Sequence, residues 1–172
     1  MNSLSTGLAL RGLLLASTLL VAPSAFAADA TKIANDLVAA LGAHGDQKAS
    51  FDSAEASGDD VIITNLKITE GDRQTMTVPQ VVITAPQDRQ PGGFTAAKIT
   101  ADNGSGGDAE TRMSWATAAI ENAVIPAPSE ITSNAKITPF STLAVTNVSI
   151  SEGGKPPVTI TEIGSTKSNN PD

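Results

Sequence analysis

The phrase TNLKITEG, Thr64 to Gly71, returns as TNVSISEG, Thr146 to Gly153. Aligned without gaps over residues 64–81 and 146–163, six of 18 positions are identical, and five others keep their character (Leu66/Val148, Thr69/Ser151, Arg73/Lys155, Val78/Ile160 and Val81/Ile163). Each copy carries a β-branched run with period-2 alternation, then a Gly-containing turn, then a second such run. That pattern is a β-hairpin. Gly71 supplies the freedom to take a positive φ at the turn. Asn65 and Asn147 interrupt the outgoing strands at the same place. Asn fits a pleated strand badly and tolerates left-handed backbone, so a bulge is the expectation at both positions, with a ligand contact as the sharper alternative.

A helical stretch is expected before each hairpin. DATKIANDLVAALG places Ile33, Leu37 and Leu41 on one stripe with Val38 beside it, with Asp29 as the cap and Gly42 as the stop. DAETRMSWATAAIENA places Met113, Ala116 and Ile120 on a stripe, with Asp108 as its cap, Trp115 off the line and the prolines of IPAPSE ending it. The expected fold class is therefore α+β: antiparallel hairpins forming a sheet, two helices on one face, and two α–β–β repeat units. The units are residues 28–103, which include an extra strand at FTAAKITADN (Phe94 to Asn103), and residues 104–163. The polar stretch 164–172 reads as a disordered tail. The second unit then lacks a third strand, so a truncated copy of a longer repeat protein is an alternative reading.

The first 27 residues read as a cleaved signal peptide. Arg11 precedes an apolar core, GLLLASTLLVA, and Ala25 and Ala27 give the A-x-A cleavage pattern. From Gly12 to Ala28 is 17 residues, broken by Ser17, Thr18, Pro23 and Ser24, which is short for a span of roughly 20 apolar residues. A periplasmic or secreted location follows, with no transmembrane span after cleavage. The chain carries a net charge of −7, and loss of Arg11 with the leader makes this −8. An acidic chain lacks the basic stripe that nucleic acid selects. With no Cys and no Tyr, one Trp and four Phe, the core must rest on Val, Ile, Leu and Ala, without disulfides.

Catalytic residues are scarce. His44 is the single His, in the loop after the first helix, where a solvated residue is the plain expectation and a general base or metal ligand the sharper one. No nucleophile elbow or Walker loop is present, and Gly104, Gly106 and Gly107 do not have dinucleotide-loop spacing. Asp59 and Asp60 are adjacent, so a strand would send them to opposite faces. The remaining candidate is ADNGSGGDAE, where Asp102, Asn103, Asp108 and Glu110 offer oxygen donors on a Gly-hinged loop, the ligand type of Ca²⁺. The spacing is not that of an EF-hand, and a polar connection with Asp108 as a helix cap accounts for the same letters. No catalytic residue and no cofactor other than this Ca²⁺ is expected, and a hydrolase is the residual enzyme reading.

The outer faces of the strands are rich in Thr and Ser, including Thr64, Thr77, Thr146 and Ser149. That is ordinary for a solvated antiparallel face, and it also suits grooves that carry lipid or edges that accept a strand. The phrases TNLKI and TNVSI and their hairpin rhythm, after a signal peptide, resemble repetitive β-rich periplasmic envelope proteins of Gram-negative bacteria, the AsmA-like and related families. The resemblance implies a non-enzymatic role in the envelope, with a lipid or an envelope protein as the partner bound through the sheet.

Overall fold

The computed structural model describes residues 29–43, 46–71, 74–108, 110–131 and 140–166. It contains one α-helix and eleven strand segments: α1 (Ala30–Leu41), β1 (Gln47–Ser50), β2 (Ser53–Ser57), β3 (Asp60–Glu70), β4 (Gln74–Thr84), β5 (Gln87–Asp88), β6 (Gly93–Asp102), β7 (Ser105–Gly107), β8 (Thr111–Ser114), β9 (Thr117–Pro126), β10 (Thr142–Glu152) and β11 (Val158–Thr166). All ladders are antiparallel and belong to a single sheet. The first predicted helix and both hairpins are present. Asp29 caps α1 by accepting from the Lys32 N–H at 3.1 Å, and Gly42 closes it.

The expected α+β class with two helices is overturned. DAETRMSWATAAIENA is not helical; it runs through a turn into β8 and β9. Its Ala and Glu favour helix locally, but the free edges of β6–β7 on one side and β10 on the other each offer it a ladder. With one helix there are no two α–β–β units. The stretch expected to be a disordered tail begins inside β11, since Gly164 to Thr166 pair with Thr142 to Ala144. The proposed leader lies outside the described residues.

The segments join into seven strand lines in meander order: β1 with β2, β3, β4, β6 with β7, β8 with β9, β10 and β11. One row crosses all of them where the pleat loses step. Asn65, Asn103 and Asn147 stand on this row with φ of 54°, 53° and 50°. At the same level β1 gives way to β2 at Phe51–Asp52, and β8 to β9 at Trp115–Ala116. In β3 and β10 a left-handed Asn spends one position without advancing the alternation, so the side chains facing a given side shift by one; β4, which has no left-handed residue, makes the same shift at Pro79–Gln80.

The consequence is an apolar pattern of i, i+2, i+5, i+7 in place of strict alternation. It reads Val61, Ile63, Leu66, Ile68 in β3; Met76, Val78, Val81, Ile83 in β4; Leu143, Val145, Val148, Ile150 in β10. The pattern is symmetric about the kink, so antiparallel neighbours match apolar against apolar on both sides of it. Ile63, Val81, Ala101, Ala118, Val145 and Ile163 form one continuous row, and Ile68, Met76, Gly106, Met113, Ile150 and Val158 another. One whole face of the sheet is thereby apolar. The Thr and Ser positions expected outside fall on the other face.

Helix α1 packs on this apolar face above the kink row, against β1, β2, β3, β6 and β9. It buries Ile33, Ala34 and Leu37 in one cluster with Val61, Ile63, Val81, Ile83, Phe94 and Ile99. Lys32 ties the helix to β5 by donating to Asp88 at 2.7 Å and to Asp36 at 2.9 Å. These pairs are solvent-exposed and add little beyond orientation. The buried apolar rows supply the driving force, at about 25 cal/mol for each Å² removed from water.

Candidate functional site

Below the kink row α1 touches β1, and it makes no substantial contact with β7, β8 or β10. There the apolar face forms an open trough with a volume of about 310 Å³, at the lower end of small-molecule sites. Its floor is the row Ile68, Met76, Gly106, Met113 and Ile150, with Gln47, Thr75 and Thr111 at polar positions of the lining. Gln47 and Ile150 line the same space, yet β1 and β10 lie five strand steps apart in the sheet. In a flat sheet they would be separated by roughly 24 Å. The sheet therefore curls strongly in its lower half, and the trough is the inside of that curl.

Glycine makes the hollow. Gly106 stands between Met76 and Met113 in the row, and a Cβ there would meet the Met76 Cα and Cβ at 3.4 Å and the Thr75 carbonyl oxygen at 3.5 Å. One row higher, Gly104 is a close approach. A Cβ on Gly104 would overlap the indole of Trp115, which lies over it. Trp115 is buried, and its Nε1–H donates to the Ala101 carbonyl at 3.1 Å, so its one polar group is satisfied. Among the described residues the lining has a single ionisable side chain, the exposed Glu70.

The residues proposed for Ca²⁺ are not brought together. Asp102 ends β6 in register with Gln80 and Thr117. Asn103 is the left-handed residue of the kink, and its N–H donates to the Ala116 carbonyl at 2.7 Å. Asp108 lies at the far hairpin tip beyond β7, on the order of 20 Å along near-extended chain. Its Oδ1 accepts from the Glu110 and Thr111 N–H groups at 2.8 and 2.7 Å. Those bonds, Thr111 first, hold its carboxyl below the usual carboxylate range. Glu110 is exposed, and its carbonyl accepts from the Gly153 N–H. Asp108 thus caps a turn that leads into a strand, where the sequence pointed to a helix.

Asp60 accepts from the Ala85 N–H at 3.3 Å, while Asp59 is exposed in the turn before β3. His44 lies outside the described residues. Among the described residues no group of three or more His, Cys, Asp or Glu is placed to hold a metal ion, and no helix is long and apolar enough to cross a membrane.

The trough residues were not singled out by sequence. The signal was present in the i, i+2, i+5, i+7 spacing, which neither a strand template nor a helix template matches over its full length. The class these features define is an antiparallel β-meander, creased along one row, with a helix over half of its apolar face and an open apolar trough on the other half. No protein-family model matches the chain, and none of the curated proteins matches it.

Proposed function

We propose that this chain is an exported, non-catalytic binding protein that takes the apolar chain of a lipid into the trough below its crease. The observation that carries the reading is the trough itself, an open concavity floored by Ile68, Met76, Met113 and Ile150 and deepened by Gly106. Exposed apolar concavity is costly to maintain in water and marks binding surfaces. Acid–base chemistry at such a floor would need paired titratable groups, and among the described residues the lining offers Glu70 alone. The leader-like N-terminus and the resemblance to β-rich envelope proteins support the same reading from the sequence side.

The lining also favours one kind of head group. The Gln47 and Thr111 side chains provide hydrogen bonds, and Glu70 together with the net charge of −7 repels anions. A neutral head, as in a monoacylglycerol, fits better than a fatty acid carboxylate.

The test is a fluorescence titration with the neutral apolar probe N-phenyl-1-naphthylamine, followed by displacement with monoacylglycerol. Saturable binding is expected, weakened at least tenfold by Gly106→Leu, which fills the floor, and by Met113→Gln, which makes it polar. Both variants should keep the parent circular dichroism spectrum. Probe binding that does not saturate, or that survives both substitutions unchanged, overturns the reading.

A further inference from the structure

The last strand, β11, pairs with β10 on one side only; among the described residues nothing pairs with its outer edge. Its nine residues, VTITEIGST, include one charge, Glu162, and no Lys or Pro. Sheet edges are normally defended by such residues, by short strands or by a covering element. The opposite edge is defended in this way: β1 and β2 are short, broken at Phe51–Asp52, and packed by α1. β11 is nine residues long, carries Glu162 as its one charge, and among the described residues has no covering element. Two apolar side chains of its inner face stand open, Val158 at 62% and Ile163 at 45% exposure. Their counterparts in the aligned hairpin, Met76 and Val81, are half-buried and buried, because β6 and β7 continue the sheet beyond β4.

We propose that β11 pairs with β11 of a second copy of this chain, antiparallel, about a two-fold axis passing between Thr161 and Glu162. The internal register carries this. In every ladder the two strands meet so that the crease of one faces the crease of the other: Ile63 faces Val81 and Leu66 faces Val78; Val145 faces Ile163 and Val148 faces Ile160. Ladders β4 to β6–β7, β6–β7 to β8–β9, and β8–β9 to β10 keep the same alignment. Because the apolar pattern is symmetric about the crease, a strand that obeys this rule is complementary to itself.

Applied to β11, the rule sets Ile160 opposite Ile163 of the second copy and Ile163 opposite its Ile160. Val158 meets Ser165, and Thr161 meets Glu162. No Glu meets a Glu, so the one charge on the strand does not oppose the pairing. The contact is isologous, as a two-fold dimer requires, and it extends the apolar face and the crease continuously from one copy to the other. The other available occupant, an extended segment of a different protein, has no such match to the observed register.

The experiment is sedimentation velocity on the purified chain over a range of concentrations, with Thr161 as the reporter because it faces Glu162 of the second copy at two equivalent places. The parent chain should show a concentration-dependent dimer. Thr161→Lys should tighten it roughly two- to thirty-fold, the expectation for two opposite-charge cross-strand pairs, and Thr161→Glu should weaken it by a similar factor. Residue 161 lies exposed on the outer row, so neither change should alter the circular dichroism spectrum. A chain that stays monomeric at about 100 µM with the native spectrum overturns the proposal. So does a dimer that responds to both charges in the same direction, or a β11 edge that pairs only when a different protein is supplied.

Discussion

Trp115 lies directly on Gly104, with its indole N–H on the Ala101 carbonyl at 3.1 Å, so the largest side chain in the protein closes over the one position in its row that has none. The two residues sit on neighbouring strand lines at the crease. Each is intelligible only with the other, and their effects on stability should be coupled.

Gly104→Ala should destabilise the fold by about 2–3 kcal/mol through overpacking, and Trp115→Ala by about 3–5 kcal/mol through the cavity it leaves. In the double variant the added methyl has nothing to strike, so the sum of the single losses should overestimate the measured loss by more than about 1 kcal/mol. Urea unfolding of the four proteins measures this. Additive losses would separate the two residues.

The left-handed asparagines give a second prediction. An L residue with a Cβ is penalised by roughly 1–2 kcal/mol in this backbone region, and Gly is not. Asn147→Ala should therefore cost about 1–2 kcal/mol, and Asn147→Gly should stay within about 0.5 kcal/mol of the parent. Asn65→Gly should cost more than Asn147→Gly, because Asn65 Nδ2 also donates to Asp52 at 2.8 Å. Equal costs for Ala and Gly at these positions would remove the crease as the reason for Asn.

Stability should fall with acid partly through Glu130. Its two oxygens meet the Arg89 guanidinium at 3.0 and 3.2 Å, and it accepts the Ala127 N–H at 2.9 Å. The Arg89 bonds first, and the Ala127 bond second, hold its carboxyl below the usual Glu range. A carboxyl depressed in the folded state adds stability that is fully present above the unfolded value of about 4.3, and that is lost as pH falls through the folded value. Melting temperatures recorded from pH 7 to pH 3 should drop more steeply in the parent than in Glu130→Gln. Asp108→Asn should flatten the same limb, for the turn N–H groups of Thr111 and Glu110 act on Asp108 in the same sense. Parallel curves for parent and variants would contradict both assignments.

Val81 and Ile163 occupy aligned positions in the two hairpins, but their burial differs: 2% exposure against 45%. Val81→Ala removes fewer carbons, yet should cost about 2–3 kcal/mol, from lost burial plus a cavity. Ile163→Ala should cost less than about 1 kcal/mol in the monomer. Chemical denaturation at low protein concentration compares them directly, and a larger loss at Ile163 would mean that its face is covered.

The hairpins were legible because each is a local event: β-branched runs flank a turn, and Gly71 takes the positive φ, 56°, that its turn demands. Helix α1 was legible for the same reason, with its cap, stripe and stop all inside one segment. The second helix failed because DAETRMSWATAAIENA satisfies two periods at once. Met113 and Ile120 belong both to a helical stripe and to the creased-strand pattern with Trp115 and Ala118. Asp108 did not decide between them, since a side-chain oxygen that accepts the N–H two and three residues on serves a helix cap and a tight turn equally well.

The sequence by itself determined where strands turn, where Asn admits a left-handed residue, and which positions are apolar, since these depend on the residue and its immediate neighbours. That Asn65, Asn103 and Asn147 line up in one crease, that Gly106 and Met113 share the floor of a trough, and that Asp102 and Asp108 stand apart came from the folded arrangement. Those relations join residues tens of positions apart through ladder register. Register is set by the simultaneous fit of every apolar row, and no single segment carries it.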